Sequence, residues 1–180
     1  MKKILAGIVA LLVAAPALPQ TDMVWALDKS TLTYHMSHPM HEVDGVSHGA
    51  RGKGTCHAGV CDSLVAAPVK SSDSGDTNRD LHMLQATRGA EFPVVSVRLR
   101  IAQAALDAGT LDCDLEVQFA GNTAHYAHVA FQQVKEGTSR HIIGTVPATL
   151  SDFKIPPPSF LTVPIKNSIP VKVDMVWKPA

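Results

Sequence analysis

The sequence predicts an all-β protein, an eight-stranded antiparallel barrel with one or two short helices. Three observations carry that prediction. Apolar and polar residues alternate at period two in segments of about ten residues, which marks strands with one face in and one face out. Turn residues, Ala120-Gly121-Asn122 and Glu136-Gly137-Thr138 among them, join neighbouring segments as hairpins. Helical periodicity is confined to one stretch, between Asn78 and Gly89. Strands joined mostly by hairpins suit a sandwich or a closed barrel rather than an α/β fold, and closure removes the exposed edges a long antiparallel sheet would carry.

Residues 1–20 are set apart first. Lys2 and Lys3 precede the apolar run Ile4 to Ala15, and Ala15-Pro16-Ala17 offers the small residues that a signal peptidase reads. The run is about a dozen residues, short of the roughly 20 that a membrane-spanning helix needs. The expectation is a signal peptide over 1–20, a single domain over 21–180, and a periplasmic or secreted product.

Charge excludes one class of partner. Of 16 basic residues two are Lys2 and Lys3, which leaves 14 against 16 acidic ones, so no nucleic-acid surface is indicated.

Along the domain the clearest strands are Val95, Val97, Leu99 and Ile101; Leu111, Cys113, Leu115, Val117 and Phe119; and Ile169, Val171, Val173, Met175 and Trp177, each alternating with polar residues. Weaker strands lie at Leu32, Tyr34 and Met36, at Ile142 to Leu150, and at Thr123 to Val134, where sidedness is ambiguous. Between Ser47 and Cys56, Gly49, Gly52 and Gly54 suit a strongly bent barrel strand or a place where something packs close to the backbone. The helix at Asn78 to Gly89 draws its apolar stripe from Leu81, Met83 and Leu84, with Asp76, Thr77 or Asn78 as N-cap and Gly89 as its stop. Ile155-Pro156-Pro157-Pro158-Ser159-Phe160 reads as an apolar connection across one end of the barrel.

Three cysteines in an oxidising compartment allow one internal disulfide. Cys56 and Cys61 flank a Gly-containing loop that sets them opposite one another, so a cross-strand bridge with Cα atoms about 4.4 to 6.8 Å apart is expected. A reactive dithiol is the competing reading. Cys113 falls on an apolar strand face and reads as a buried thiol.

Five of the nine histidines, His35, His38, His41, His48 and His57, lie between positions 35 and 57 with Met36 and Met40. Imidazole and thioether together suit copper, with His38, Met40, His41 and His48 as candidate ligands. The competing reading is a polar turn. No nucleophile elbow or phosphate loop is present, so the chain is read as a non-enzyme. Arg79 at the helix start could meet an anionic headgroup, or simply belong to a capped first turn.

Asn78-Arg79-Asp80-Leu81-His82-Met83, followed by Phe92-Pro93 and the strand Val94 to Ile101, resembles the YceI-like family of small exported, lipocalin-like barrels associated with polyisoprenoid binding. Trp25-Ala26-Leu27-Asp28 resembles that family's opening strand, and His38-Pro39-Met40-His41 with Gly45 resembles its first turn. The resemblance implies an apolar tunnel for an isoprenoid- or fatty-amide-like tail, with no cofactor required. Lining candidates are Tyr34, Met36, Leu84, Phe92, Val97, Leu99, Leu115, Val117, Phe119 and Phe131. A filled barrel gives the same pattern, in which case the protein acts through its surface, in an envelope complex or a stress response. A homodimer fits either reading.

Overall fold

A computed structural model describes residues 22–160 and 162–180. The expected signal peptide, 1–20, lies outside the described residues. Among these the chain forms β1 (Met23–His38), β2 (His41–Ser47), β3 (Arg51–His57), β4 (Val60–Pro68), α1 (Thr77–Ala86), β5 (Val94–Ala102), β6 (Thr110–Phe119), β7 (Asn122–Glu136), β8 (Ser139–Val146), β9 (Ser159–Phe160), β10 (Val163–Pro164) and β11 (Val171–Pro179).

These strands close an antiparallel barrel of eight staves. The order is β11-β8-β7-β6-β5-β4-β3-β1, and β11 pairs back with β1 from Trp25↔Pro179 to Tyr34↔Val171. β2 and β3 make one broken stave along β1. β2 pairs with the upper half of β1 from His38↔His41 to Leu32↔Ser47, and β3 with its lower half from Ala26↔Lys53 to Met23↔Cys56.

The turns follow their residues. Ala58-Gly59 and Ala120-Gly121 both sit at positive φ, the two-residue hairpin geometry that favours glycine, and Gly137 opens the third tight turn at φ 60°. One end of the barrel, the floor, carries the two short turns at 58–59 and 137–138 and a 3₁₀ turn, Gln103–Asp107, between β5 and β6. The other end, the mouth, carries the long connections 69–93 and 147–170.

The glycines of β3 are explained by their neighbours. A β-carbon on Gly52 would lie 2.7 Å from Cη2 of Trp177, and one on Gly54 would lie 2.8 Å from Oγ of Ser63. Close approach of inner side chains, as well as the break at 48–50, is what these glycines permit.

Three boundaries differ from expectation. β8 stops at Val146, and 147–150 lead instead into a 3₁₀ turn at Ser151–Phe153. Ile169 precedes β11, its amide bonded to the carbonyl of Ala148. The connection after Ile155 contains the two-residue strand β9, paired with β10.

The ambiguous sidedness of β7 has a local cause. The β6–β7 register shifts between Cys113↔Val129 and Leu115↔Tyr126, where His128 takes φ 55°. This β-bulge places Ala124 and Tyr126 opposite inward residues above it and Val129 and Phe131 below it, so one period cannot fit the whole strand.

Helix α1 is capped by Asp76, whose side chain accepts from the amide of Arg79 at 3.0 Å. Leu81, expected on its apolar stripe, is exposed. The face turned to the barrel instead carries Arg79, Met83, Ala86 and Thr87, because the helix lies across a tunnel mouth rather than on a closed core.

Candidate functional site

A cavity of about 650 Å³ runs inside the barrel from floor to mouth. At the floor it is bounded by Trp25, the cystine, Ile101, Leu106, Gln133 and Arg140; along the staves by Leu32, Val65, Val97, Leu99, Leu115, Val117, Phe131, Val173 and Trp177. Its mouth is rimmed by Tyr34, Met36 and His41 from the β1–β2 hairpin, by Asn78, Arg79, His82 and Met83 from α1, and by Pro158, Ser159 and Ile165 from the last long connection. The size is that of a site for one small-molecule ligand, and the wall is mostly apolar.

Eight of the ten predicted lining residues stand on this wall: Tyr34, Met36, Val97, Leu99, Leu115, Val117, Phe119 and Phe131. Leu84 and Phe92 do not. The chain turns at Gly89 after the helix, which packs Leu84 against that glycine, and the Phe92 ring falls on Gly121 with the Arg88 guanidinium 4.6 Å above it.

Tyr34 lies flat against Gly45, and burial pushes its hydroxyl above the ordinary phenol range. At the opposite wall β7 pairs with β8 only from Phe131↔Gly144 downward, so the upper wall has a gap. The turn Ser151–Phe153 fills it. Asn122 Nδ2 donates to the Phe153 carbonyl at 2.8 Å, Tyr126 donates its hydroxyl to Asp152 at 2.7 Å, and the Phe153 ring meets Phe119 edge-on at 5.4 Å.

The floor is polar and closed. Gln133 Nε2 donates to the carbonyls of Leu106 and Ala108 at 2.6 and 2.9 Å. Arg140 donates through Nε to Leu106 at 3.0 Å and pairs with Asp107 at 3.1 Å, and its guanidinium lies 5.4 Å from the Trp25 ring. Both Gln133 and Arg140 are buried. Neither was singled out from the sequence, yet each is a polar residue within a strand pattern that places it inward, and that was the available signal.

Arg79 at the mouth is held by its own turn. Its Nε and Nη2 donate to the side chain and carbonyl of Ser74 at 2.8 and 2.7 Å, and Asp80 accepts from the Ser74 hydroxyl at 2.6 Å. The capped-turn reading of this motif is the one the geometry favours.

Cys56 and Cys61, directly opposite one another on β3 and β4, form a disulfide, S–S 1.98 Å, and their Cα atoms are 3.9 Å apart, closer than the expected span. Cys113 is a free, buried thiol, pushed up to about 11 by burial and by Asp112 and Asp114.

The proposed copper ligands are not brought together as a set. His48 Nδ1 sits 3.1 Å from the Ser30 carbonyl and 3.2 Å from the Thr31 hydroxyl. His38 is buried, with its ring nitrogens at the Met40 amide and the Val163 carbonyl; His41 is 5.0 Å away, ring to ring, and Met40 points to solvent. Among the described residues no three His, Cys, Asp or Glu side chains are placed to hold an ion.

A second depression, about 790 Å³, lies open on the outer wall across β3 to β7. On it Arg100 pairs with Asp62 at 2.9 Å and Arg98 with Glu116 at 3.9 Å, exposed pairs of a kind that adds little stability. Among the described residues no helix is long and apolar enough to cross a membrane.

No family model and no curated protein matches the chain by sequence. Solved structures match its fold. A polyisoprenoid-binding domain from Saccharophagus degradans superposes with a TM-score of 0.72 at 12% identity, over 88% of this chain and 99% of that one. BcnA of Burkholderia cenocepacia gives 0.69 at 13% identity, over 82% and 95%. A YceI protein of Campylobacter jejuni gives 0.52 at 13% identity, over 66% and 72%. The fold is that of the YceI-like barrels, as the sequence motifs led one to expect.

Proposed function

We propose that this YceI-like barrel is an exported, non-catalytic binding protein that holds an amphiphile by its long apolar tail, an isoprenoid chain foremost, inside the barrel. The carrying observation is the cavity of about 650 Å³ inside the barrel, which extends from Trp25 and Leu106 at one end to Tyr34, Met83 and Ile165 at the other. A filled barrel would leave no space of that size between its staves. A flexible apolar chain gains roughly 0.8 kcal/mol per buried methylene, so a linear tail is the ligand that uses such a shape best. Two further observations support the reading: one matching fold is described as polyisoprenoid-binding, and the Cys56–Cys61 bridge suits an oxidising compartment.

The test is titration of the purified mature protein with a prenyl alcohol, alongside Ala67→Trp. Ala67 is a small residue of the tunnel wall, and an indole there occupies the space of the tail. Saturable binding by the wild type and its loss in a folded Ala67→Trp supports the proposal. Absence of binding by both overturns it.

A further inference from the structure

Of the buried side-chain polar atoms that find no partner among the described residues, two belong to residues of the tunnel floor: Nε1 of Trp25 and Oε1 of Gln133. Each residue is only 7% exposed. Buried polar groups are ordinarily paired, so an orphan donor and an orphan acceptor at one end of a ligand-sized cavity are an unusual coincidence. The amide of Gln133 is fixed in orientation. Its Nε2 faces two carbonyls, Leu106 and Ala108, which cannot donate, so the oxygen is the atom left over. The two groups belong to one cluster, because Gln133 and Arg140 meet on the Leu106 carbonyl and the Arg140 guanidinium stacks on Trp25.

We infer that the floor of the tunnel is a polar subsite for a neutral hydroxyl, which accepts from Trp25 Nε1 and donates to Gln133 Oε1, so that the amphiphile enters head first and its tail fills the staves. This rests on the tail-binding function proposed above and adds the chemistry and direction of the head. A hydroxyl is the smallest head that both accepts and donates. A free anion is disfavoured, since Arg140 already has Asp107 as its counter-ion and bonds to the Leu106 carbonyl. At the mouth the Arg79 guanidinium is already engaged by Ser74.

Three probes of one chain length separate the possibilities: geranylgeraniol, its methyl ether, and the corresponding hydrocarbon. In wild type the indole N–H resonance of Trp25, assigned by its loss in Trp25→Phe, moves downfield with the alcohol and the ether and stays in place with the hydrocarbon. Trp25→Phe weakens the alcohol roughly fivefold to tenfold, the scale of one net hydrogen bond, and leaves hydrocarbon affinity within about twofold. A loss of packing alone would weaken all three probes alike, and that result overturns the inference while leaving tail binding intact. So does binding of the alcohol with no shift of the Trp25 resonance, which would mean that water satisfies both groups. Failure of every probe to bind wild type overturns the inference together with the function it rests on.

Discussion

The indole of Trp177 occupies the space beside Gly52, 2.7 Å from where a β-carbon on that residue would stand. A bulky aromatic on β11 is thereby seated against bare backbone on β3, with Leu27 of the intervening β1 beside it. The tunnel keeps its width there because the wall, not the lumen, yields space.

Gly52→Val therefore forces the indole inward. The expected cost is about 1–3 kcal/mol of overpacking, a fall in Tm of several degrees for a domain of this size, with reduced capacity for long-tailed probes. Gly109→Ala is the control, since nothing lies within 4 Å of its added carbon. Equal melting temperatures for the two variants would remove the packing explanation for the β3 glycines.

Arg140 ties the 3₁₀ turn at Gln103–Asp107 to the floor through Leu106 and Asp107. Arg140→Met keeps length and apolar stem but leaves the Leu106 carbonyl to Gln133 and removes the Arg140 partner of Asp107. About 1.5–3 kcal/mol of destabilisation is expected for a lost charged hydrogen-bonding group. Faster amide exchange should appear at 105–109, with the β6–β7 hairpin tip at Gly121 unchanged.

The thiols give a sharp count. Native protein should show no reactive thiol, because Cys56 and Cys61 are bridged and Cys113 is buried with its pKa pushed up to about 11. One thiol should appear on unfolding without reductant. Reduction should cost less than the roughly 3 kcal/mol of a 15-residue loop, because this loop is far shorter. Rapid modification of Cys113 in folded protein would contradict its burial.

His141 carries a pH dependence. Its hydrogen bond to Asp174 at 2.8 Å raises its pKa above the ordinary 6.5 against some opposition from burial, and Glu136 adds to the rise. A folded value above the unfolded one means the contribution is fully present below about pH 6.5 and is lost as pH rises through the folded value. Wild type should exceed His141→Gln in Tm at about pH 5.5, with the gap closing by about pH 8.5. A gap that widens with pH would contradict the assignment.

Where one rule governs a residue, the sequence shows its place. The period-two faces of β5, β6 and β11 and the Gly-bearing hairpin at Cys56 and Cys61 needed only local chemistry. Where two elements decide jointly, it does not. The His128 bulge depends on pairing with β6, so β7 read as ambiguous. Leu84 and Phe92 match an apolar pattern, yet the turn at Gly89 directs them outside the barrel. For Gln133 and Arg140 the strand pattern shows at most that they point inward; what makes them a floor is the backbone of Leu106, 27 and 34 residues away in the chain and adjacent only after closure.

Native mass spectrometry of protein purified from the envelope fraction of cells that make it shows whether the barrel carries a tail. A tail carrier should show one extra mass per chain, removable by organic extraction and identified as a molecule with a long apolar tail, and absent from Ala67→Trp prepared in parallel. The bare chain mass from both proteins, with no gain in Tm from added prenyl alcohol, would contradict it.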